Sequence, residues 1–209
     1  MLRKLPIVGV FGHGASLSEE RVQLARAVGA MIARLDAHLL TGGGYGVMEA
    51  AAEGFVAVAD RAGMSIGIIP CKADGPLDSP NRSWDGRAYP NSFVELAIFT
   101  PLPPRAGNWQ TTPARNHINV LTPHAIIALP GGAGTRNELD MAAFYRHESG
   151  RRREDRRTIL LGPIDEFAQH HRQMFVHAAS LSDAEQHVTL ILADRGTSFA
   201  DERSHARIG

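Results

Sequence analysis

The stretch Ala125 to Leu139, which reads AIIALPGGAGTRNEL, decides the fold of this chain. Its apolar run Ala125–Leu129 predicts a buried strand that ends at Pro130, and a cluster of glycines follows directly. The residues Thr135–His147 then predict a helix. A strand that breaks at glycines and restarts as a helix presents backbone N–H groups at the positive end of the helix dipole. The stretch therefore predicts a phosphate-binding turn.

Three glycines and a threonine make up this turn: Gly131, Gly132, Gly134 and Thr135. Glycine lets the backbone approach an anion closely, and the threonine hydroxyl can donate a hydrogen bond to phosphate. A tight strand–helix turn without a ligand is the alternative interpretation. The spacing is not the dinucleotide-binding fingerprint, and the lysine of a P-loop is missing.

A second glycine turn follows the strand that we predict at His38–Thr41. It spans Gly42–Gly46 and leads into Met48, and the candidate binding residues in it are Gly43, Gly44, Gly46 and Met48. We expect this turn to contact the sugar or phosphate of a ligand from the other side. The adjacent Glu49 is interpreted as a helix N-terminal charge.

An earlier turn, Gly12-His13-Gly14, ends the first predicted strand and is a candidate lining of a base pocket. The imidazole of His13 titrates near neutrality in principle. Because no partner for it is evident in the sequence, we interpret His13 as structural.

Strands alternate with helical segments along the whole chain, which predicts an α/β fold with a parallel sheet covered by helices on both faces. Residues 1–209 are expected to form one domain. Loops that follow parallel strands meet at one edge of the sheet, where ligands bind. The predicted strands are Ile7–Phe11, His38–Thr41, Ser65–Pro70, Phe93–Thr100, Ala125–Leu129, Thr158–Leu161 and Val188–Leu192, and the helical segments are 22–35, Val47–Ala62, Arg115–Leu121, Thr135–His147 and Ile164–Ala179.

Three segments lack periodicity. Cys71–Asn91 is a loop longer than most connections in compact domains, which favours a functional role. Pro101–Pro113 carries Trp109. Gly150–Arg157 (GRRREDRR) predicts a solvated turn, with a basic rim for an anionic ligand as the alternative. The polar tail after Ala193 is expected to be loosely held.

Composition excludes several classes of protein. Lys+Arg and Asp+Glu both number 22, so no net charge favours nucleic acid or an anionic membrane. Cys71 is the only cysteine, which excludes an internal disulfide and fits a reducing compartment. No apolar run approaches the roughly 20 residues that span a bilayer. We expect a cytoplasmic protein.

A metal site is not expected either. The ten histidines show no spacing typical of metal ligands, and no HExxH motif occurs. His170 and His171 are adjacent in sequence, and we expect their side chains to point apart.

Two charged residues flank the first glycine turn. Glu138 lies on the first turn of the predicted helix, where a carboxylate either balances the helix dipole or holds sugar hydroxyls or a water at a reacting centre. Arg115 precedes the same strand, and a surface or ion-pairing arginine is the alternative to a functional one.

Pro130–Glu138 reads PGGAGTRNE and matches the PGGxGTxxE motif of the LOG ("Lonely guy") family, which this chain resembles over roughly residues 7–147. Arg115 falls at the spacing of that family's arginine, but Asn116 replaces the lysine that follows it. The turn from Gly42 to Met48 matches the family's upstream glycine turn loosely, and the strand end Ile66–Pro70 also fits. The resemblance implies a Rossmann-like fold and a homodimer or larger assembly.

The resemblance also implies an enzyme that needs no cofactor. It would hydrolyse the N-glycosidic bond of a nucleoside 5′-monophosphate, as in cytokinin activation, and release free base and ribose 5-phosphate. Gly131–Thr135 would grip the 5′-phosphate, and the second glycine turn would assist. Glu138 and Arg115 would be the catalytic residues, and Trp109 would lie over the base.

Two features resemble a neighbouring group instead, the molybdenum-cofactor carrier proteins. These are the Arg115-Asn116 pair and the sequence Met48-Glu49-Ala50. That resemblance implies a carrier that binds a phosphorylated pterin without hydrolysing a nucleotide. A nucleotide sensor without chemistry is a third interpretation.

Overall fold

The computed structural model describes residues 4–72, 76, 81–83, 85–148 and 157–205. Seven strands form one sheet in the order β4-β3-β2-β1-β5-β6-β7, and every neighbouring pair is parallel. The predicted parallel α/β, Rossmann-like fold is confirmed. The strands are β1 (Ile7–Phe11), β2 (His38–Thr41), β3 (Ser65–Pro70), β4 (Leu96–Thr100), β5 (Ala125–Ala128), β6 (Thr158–Leu161) and β7 (Val176–Ala178).

Helices cover both faces of the sheet. One face packs against α1, α2 and α6, whose apolar residues share a core with β1, β2 and β5. The other face packs against α3 and α4, with aromatic residues around α5. The helices are α1 (Glu19–Arg34), α2 (Val47–Val56), α3 (Arg115–Leu121), α4 (Ala133–Glu148), α5 (Gln169–Met174) and α6 (Leu181–His205).

The order in which strands are added to the sheet reverses between β1 and β5. The first half of the chain adds β2, β3 and β4 on one side of β1, and the second half adds β5, β6 and β7 on the other. Such a reversal opens a crevice at the carboxyl ends of the two central strands, where α/β proteins bind ligands. The topology therefore predicts that a ligand would bind beside the turns after β1, β2 and β5.

The second half differs from the prediction in two places. Ile164–Ala179, which we predicted as one helix, contains a single 3-10 turn (Ile164–Glu166), the short α5 and the strand β7. Val188–Leu192, predicted as the last strand, lies inside α6. Val188 and Ala184 are both buried and lie one helical turn apart, so this apolar run forms part of the buried face of a helix. The same helix continues to His205, where we expected a loosely held tail.

The ends of two other predicted elements differ by a few residues, and most of the predicted charge run lies outside the described residues. β4 begins at Leu96, not at Phe93, and α2 ends at Val56, not at Ala62. The charge run Gly150–Arg157 lies outside the described residues except for Arg157. Within the described ranges, no helix has the length and apolarity to cross a membrane.

Candidate functional site

Three glycine-containing turns meet at the carboxyl ends of β1, β2 and β5. A Cβ added to Gly131 would lie 3.1 Å from the carbonyl carbon of Gly12, so the turns after β5 and β1 are in contact. The Val47 N–H donates to the carbonyl oxygen of His13 at 2.9 Å, which joins the turn after β2 to the same place. The two predicted glycine turns therefore lie on one edge of the sheet, together with the turn after β1.

Gly46 fixes the contact between the turns after β1 and β2. Its φ is 66°, a left-handed conformation that L side chains rarely adopt. A Cβ there would lie 2.3 Å from the carbonyl oxygen of His13 and 2.7 Å from that of Ala15. Only glycine lets the two turns pack this closely.

The side of Gly43 that would carry a Cβ faces the sheet, because that atom would lie 2.3 Å from Cδ1 of Ile69. At Gly44 a Cβ would lie 2.7 Å from Cε of Met48. These glycines thus have a packing reason to be small, and their contact with a ligand stays a prediction.

Arg115 lies against the turn after β2. It is the first residue of α3, and only 6% of it is exposed. A Cβ on Gly42 would lie 1.8 Å from Nη1 of Arg115 and 3.2 Å from Sδ of Met48. Gly42, Arg115 and Met48 are therefore immediate neighbours. Gly42 begins the predicted second turn but is not among its three candidate binding glycines, although its missing side chain provides the space for the guanidinium.

Glu138 faces α3, where Nδ2 of Asn119 donates to its Oε1 at 2.9 Å. Glu138 retains partial surface exposure, yet protein surrounds the carboxyl group closely. Burial therefore raises the pKa of Glu138, while the charge of Arg115 and the hydrogen bond from Asn119 oppose this rise. The structure thus brings together the two predicted catalytic residues. Sequence reasoning missed Asn119, although it lies four residues after Arg115 and so on the same side of α3.

Two buried atoms beside Glu138 lack a hydrogen-bond partner among the described residues: Nε of Arg115 and Oδ1 of Asn119. An unsatisfied buried polar atom costs about 1–3 kcal/mol, and native proteins keep few of them. Together with the desolvated carboxyl group of Glu138, these atoms make the region costly for stability. Such a cost is typical of functional sites.

We expect Glu138→Gln to stabilise the ligand-free protein, increasingly so as the pH rises. A pKa that folding raises means that the folded state favours the neutral acid. Its stabilising contribution is complete below the unfolded pKa, near 4.5, and is lost as the pH rises through the folded pKa. Glutamine is neutral throughout and can still accept from Asn119.

Thermal unfolding of both proteins between pH 4 and 9 checks this expectation. The midpoints should nearly coincide at the acidic end and separate at the alkaline end, by about 2–4 °C for each kcal/mol. A midpoint that is lower for Glu138→Gln at pH 8 would contradict a raised pKa.

The glycine turn after β5 has two open positions. Thr135 is buried, and a Cβ on Gly131 would lie 2.1 Å from its Oγ1, so the hydroxyl folds back over that glycine. By contrast, a Cβ on Gly134 would meet no described atom within 4 Å, and one on Gly132 would meet only the imidazole of His13, at 4.0 Å. A ligand therefore has room beside Gly132 and Gly134.

His13 lies nearer to this turn than the sequence indicated. Its Nδ1 accepts from the backbone N–H of Ala15 at 3.1 Å, which orients the ring within its own turn. Nε2 and Cδ2 are the ring atoms on the side of Gly132. The structural role that we predicted is present, and the imidazole also borders the open side of Gly132.

Trp109 packs against the outer part of α4. Its ring meets Phe144 edge-on at 5.4 Å between centroids, and its carbonyl oxygen accepts from Nε2 of His117 at 3.0 Å. Stacking of Trp109 on a base stays a prediction. Asn116, which replaces the lysine of the LOG pattern, donates through Nδ2 to Oδ1 of Asn137 at 3.0 Å. That bond joins α3 to α4.

The end of the long loop between β3 and β4 is attached to the second glycine turn. Asn91 donates through its side chain to the carbonyl oxygen of Gly44 at 2.6 Å and through its backbone to that of Gly43 at 2.8 Å. The hydroxyl of Tyr45 donates to the carbonyl oxygen of Ala88 at 2.6 Å. This end of the loop therefore forms part of the wall beside the turn.

The expectation that His170 and His171 point apart is wrong. Nε2 of His170 lies 3.0 Å from Oδ1 of Asp140, and Nε2 of His171 lies 2.7 Å from the same oxygen. The rings can converge because both residues lie in the short α5, which packs beside the outer side of α4.

Comparison with known proteins gives a family and a set of structural neighbours. A family model described as the SLOG cluster4 family matches residues 5–180. An uncharacterized protein of Archaeoglobus fulgidus is 33% identical over 139 residues, which cover 66% of this chain and 74% of that protein.

Two of the similar solved structures are molybdenum-cofactor proteins. The molybdenum cofactor binding protein of Rippkaea orientalis has a TM-score of 0.64 and 28% identity, over 90% of this chain and 98% of that one. The Moco carrier protein of Chlamydomonas reinhardtii has a TM-score of 0.64 and 27% identity, over 91% and 99%. DNA processing protein A of Helicobacter pylori, at 13% identity and a TM-score of 0.57, shares the fold alone.

Proposed function

Because this chain belongs to the SLOG cluster4 family, we propose that it binds a phosphorylated small molecule in the crevice between the turns after β1, β2 and β5. The cargo that we infer is a phosphorylated pterin of the molybdenum-cofactor type. The protein would hold it without chemistry, as a carrier or binding protein. Its phosphate would lie beside Gly132 and Gly134, and Arg115 would supply positive charge.

The observation that carries this proposal is the likeness to two molybdenum-cofactor proteins along almost their whole length. The chemistry of the crevice supports it. Backbone N–H groups at the start of α4 favour an anion, and a guanidinium makes strong, charge-assisted hydrogen bonds to phosphate. The open sides of Gly132 and Gly134 leave room for that group.

Ligand capture tests the carrier function. The full chain, produced in cells that make the cofactor and purified under mild, oxygen-free conditions, should carry pterin-derived material in about one copy per chain. Mass spectrometry of the native protein identifies the species. Released and re-added molybdopterin should bind saturably. Absence of both carried ligand and saturable binding would refute the carrier proposal.

A second function is favoured by a separate observation, the pairing of Glu138 with Asn119 beside Arg115. In a nucleoside 5′-monophosphate phosphoribohydrolase, the ionised Glu138 would hold the ribose hydroxyls and stabilise the positive charge that develops on the sugar. Water would add to the anomeric carbon, and the base would leave with a proton. The charge of Arg115 would help to keep Glu138 ionised.

A panel of nucleoside 5′-monophosphates that includes N6-isopentenyl-AMP tests this second function, with chromatography for free base. We expect Glu138→Gln to lower any activity by about 100-fold or more, since electrostatic stabilisation of that size is typical of one well-placed group. Glu53→Gln is the control, because Glu53 pairs with Arg26 at 2.8 Å on the outside of α2. If the folded protein releases base from no member of the panel, the hydrolase is refuted and the carrier is unaffected.

A homodimer is also part of the proposal, and an incompletely covered sheet face supports it. Leu96 and Ile98 of the edge strand β4 pair in register with Ile66 and Ile68, so they point to the face that α3 covers. Each is more than 40% exposed. A second copy that covers this face would bury them. Light scattering of the purified chain gives the mass directly, and a monomer at micromolar concentration would contradict the dimer.

A further inference from the structure

Asp140, His170 and His171 form a compact cluster on the side of α4 away from the crevice. One ligand atom from each of the three residues lies within 4.8 Å of the others. Asp140 follows Glu138 by two residues, which places their side chains about 200° apart around the helix. The cluster is therefore distinct from the site at Arg115 and Glu138.

We propose that these three side chains form a binding site for a divalent transition metal of the zinc class. The ligands are Nε2 of His170, Nε2 of His171 and Oδ1 of Asp140. Two imidazoles and one carboxylate are a donor set that zinc accepts in proteins. The family assignment and the cargo proposed for the crevice do not enter this inference.

The distances fit such a site after a small movement. Zinc bonds of about 2.0–2.1 Å in a tetrahedral arrangement hold ligand atoms about 3.3 Å apart. The two Nε2–Oδ1 distances are 3.0 and 2.7 Å, so the atoms need to separate by only a few tenths of an ångström. The side chains of His170 and Asp140 are 59% and 43% exposed, which leaves water free to complete the coordination.

His171 is the buried member of the cluster. Its side chain is 1% exposed, and its Nδ1 is buried without a hydrogen-bond partner among the described residues. Burial therefore fixes the ring with its Nε2 toward Oδ1 of Asp140, 2.7 Å away.

The three ligands belong to two different helices, α4 and α5, which pack against each other over a short length. Asp140 belongs to α4, which also carries Thr135 and Glu138, and the histidines belong to the first turn of α5. A bound metal would fasten α5 to α4. We therefore expect it to stabilise the fold as well as to bind.

Calorimetric titration of the tag-free, chelator-treated full chain with Zn²⁺ tests the site. One zinc per chain is expected, and Co²⁺ in its place should give the visible absorption bands of a four-coordinate site. The variants His170→Gln and Asp140→Asn alter partly exposed side chains, so they should fold, as circular dichroism can verify. Each should bind Zn²⁺ at least about 10-fold more weakly, since even supporting residues of metal sites contribute that much.

His177→Gln is the matched control. His177 is an exposed histidine whose Nε2 hydrogen-bonds to the carbonyl oxygen of Gly162 at 3.0 Å, outside the cluster. It should bind Zn²⁺ like the wild type, and Zn²⁺ should raise the unfolding midpoint of both. The proposal is overturned if wild type binds no zinc, or if His170→Gln and Asp140→Asn bind it as tightly as wild type does.

Discussion

Gly46→Ala is expected to destabilise the protein by about 3 kcal/mol and to lower its unfolding midpoint by about 6–12 °C. Alanine pays roughly 1–2 kcal/mol for the left-handed conformation with φ of 66°. Its Cβ must in addition displace the carbonyl oxygens of His13 and Ala15, which would lie 2.3 and 2.7 Å away. Backbone atoms held by a neighbouring strand move only at a cost.

Differential scanning calorimetry of the ligand-free chain measures this effect, and Gly134→Ala is the control. A Cβ on Gly134 meets no described atom within 4 Å, and alanine is favoured over glycine inside a helix. Its midpoint should equal or exceed that of wild type. Equal midpoints for wild type and Gly46→Ala would show that the turns after β1 and β2 are not packed as described.

The second large effect is expected at Gly42. Gly42→Ala should fold but should weaken binding of the crevice ligand by about 10- to 100-fold, the worth of a charge-assisted hydrogen bond. The new Cβ would lie 1.8 Å from Nη1 and 2.9 Å from Cζ of Arg115. Since these atoms end a flexible side chain, the guanidinium moves and the backbone stays. Gly107→Ala is the control, because a Cβ there meets no described atom within 4 Å.

A double-mutant cycle shows whether the effect passes through the arginine. If Gly42→Ala acts by displacing Arg115, the double variant Gly42→Ala/Arg115→Ala should bind no more weakly than Arg115→Ala alone. Titration with molybdopterin, or with any nucleotide that the chain hydrolyses, supplies the readout. Additive losses would mean that Gly42 affects the ligand independently of Arg115.

The strands that the sequence predicted well are those whose ends are marked by glycine or proline. β1, β2, β3 and β6 have the predicted bounds, and β5 ends one residue early, because glycine or proline closely follows four of these five apolar runs. The run Val188–Leu192 has no such boundary. Its β-branched residues favour a strand locally, but contact with the core made by β5 and β6 selects a helix.

The roles of Arg115 and Glu138 stay predictions, and the sequence missed some of the residues that surround them. Arg115 and Glu138 do lie together, and the LOG and molybdenum-carrier resemblance that selected them is confirmed at the level of the SLOG family. Gly42 has no signal in a single sequence that separates it from its glycine neighbours. The convergence of His170 and His171 on Asp140 depends on how α5 packs, which adjacency in sequence does not determine.

The attachment of the long loop to the second glycine turn has a consequence for engineering. Asn91 and Tyr45 hold this end of the loop through hydrogen bonds to main-chain oxygens, and Arg87 adds contacts of its side chain, which lies 3.5 Å from the ring centroid of Tyr45 and 3.8 Å from Oε2 of Glu49. A graft at residues 85–88 that keeps Arg87 should therefore preserve these attachments. We expect such grafts from related proteins to alter selectivity for the ring of the ligand while the sheet and the turn Gly131–Gly134 remain unchanged.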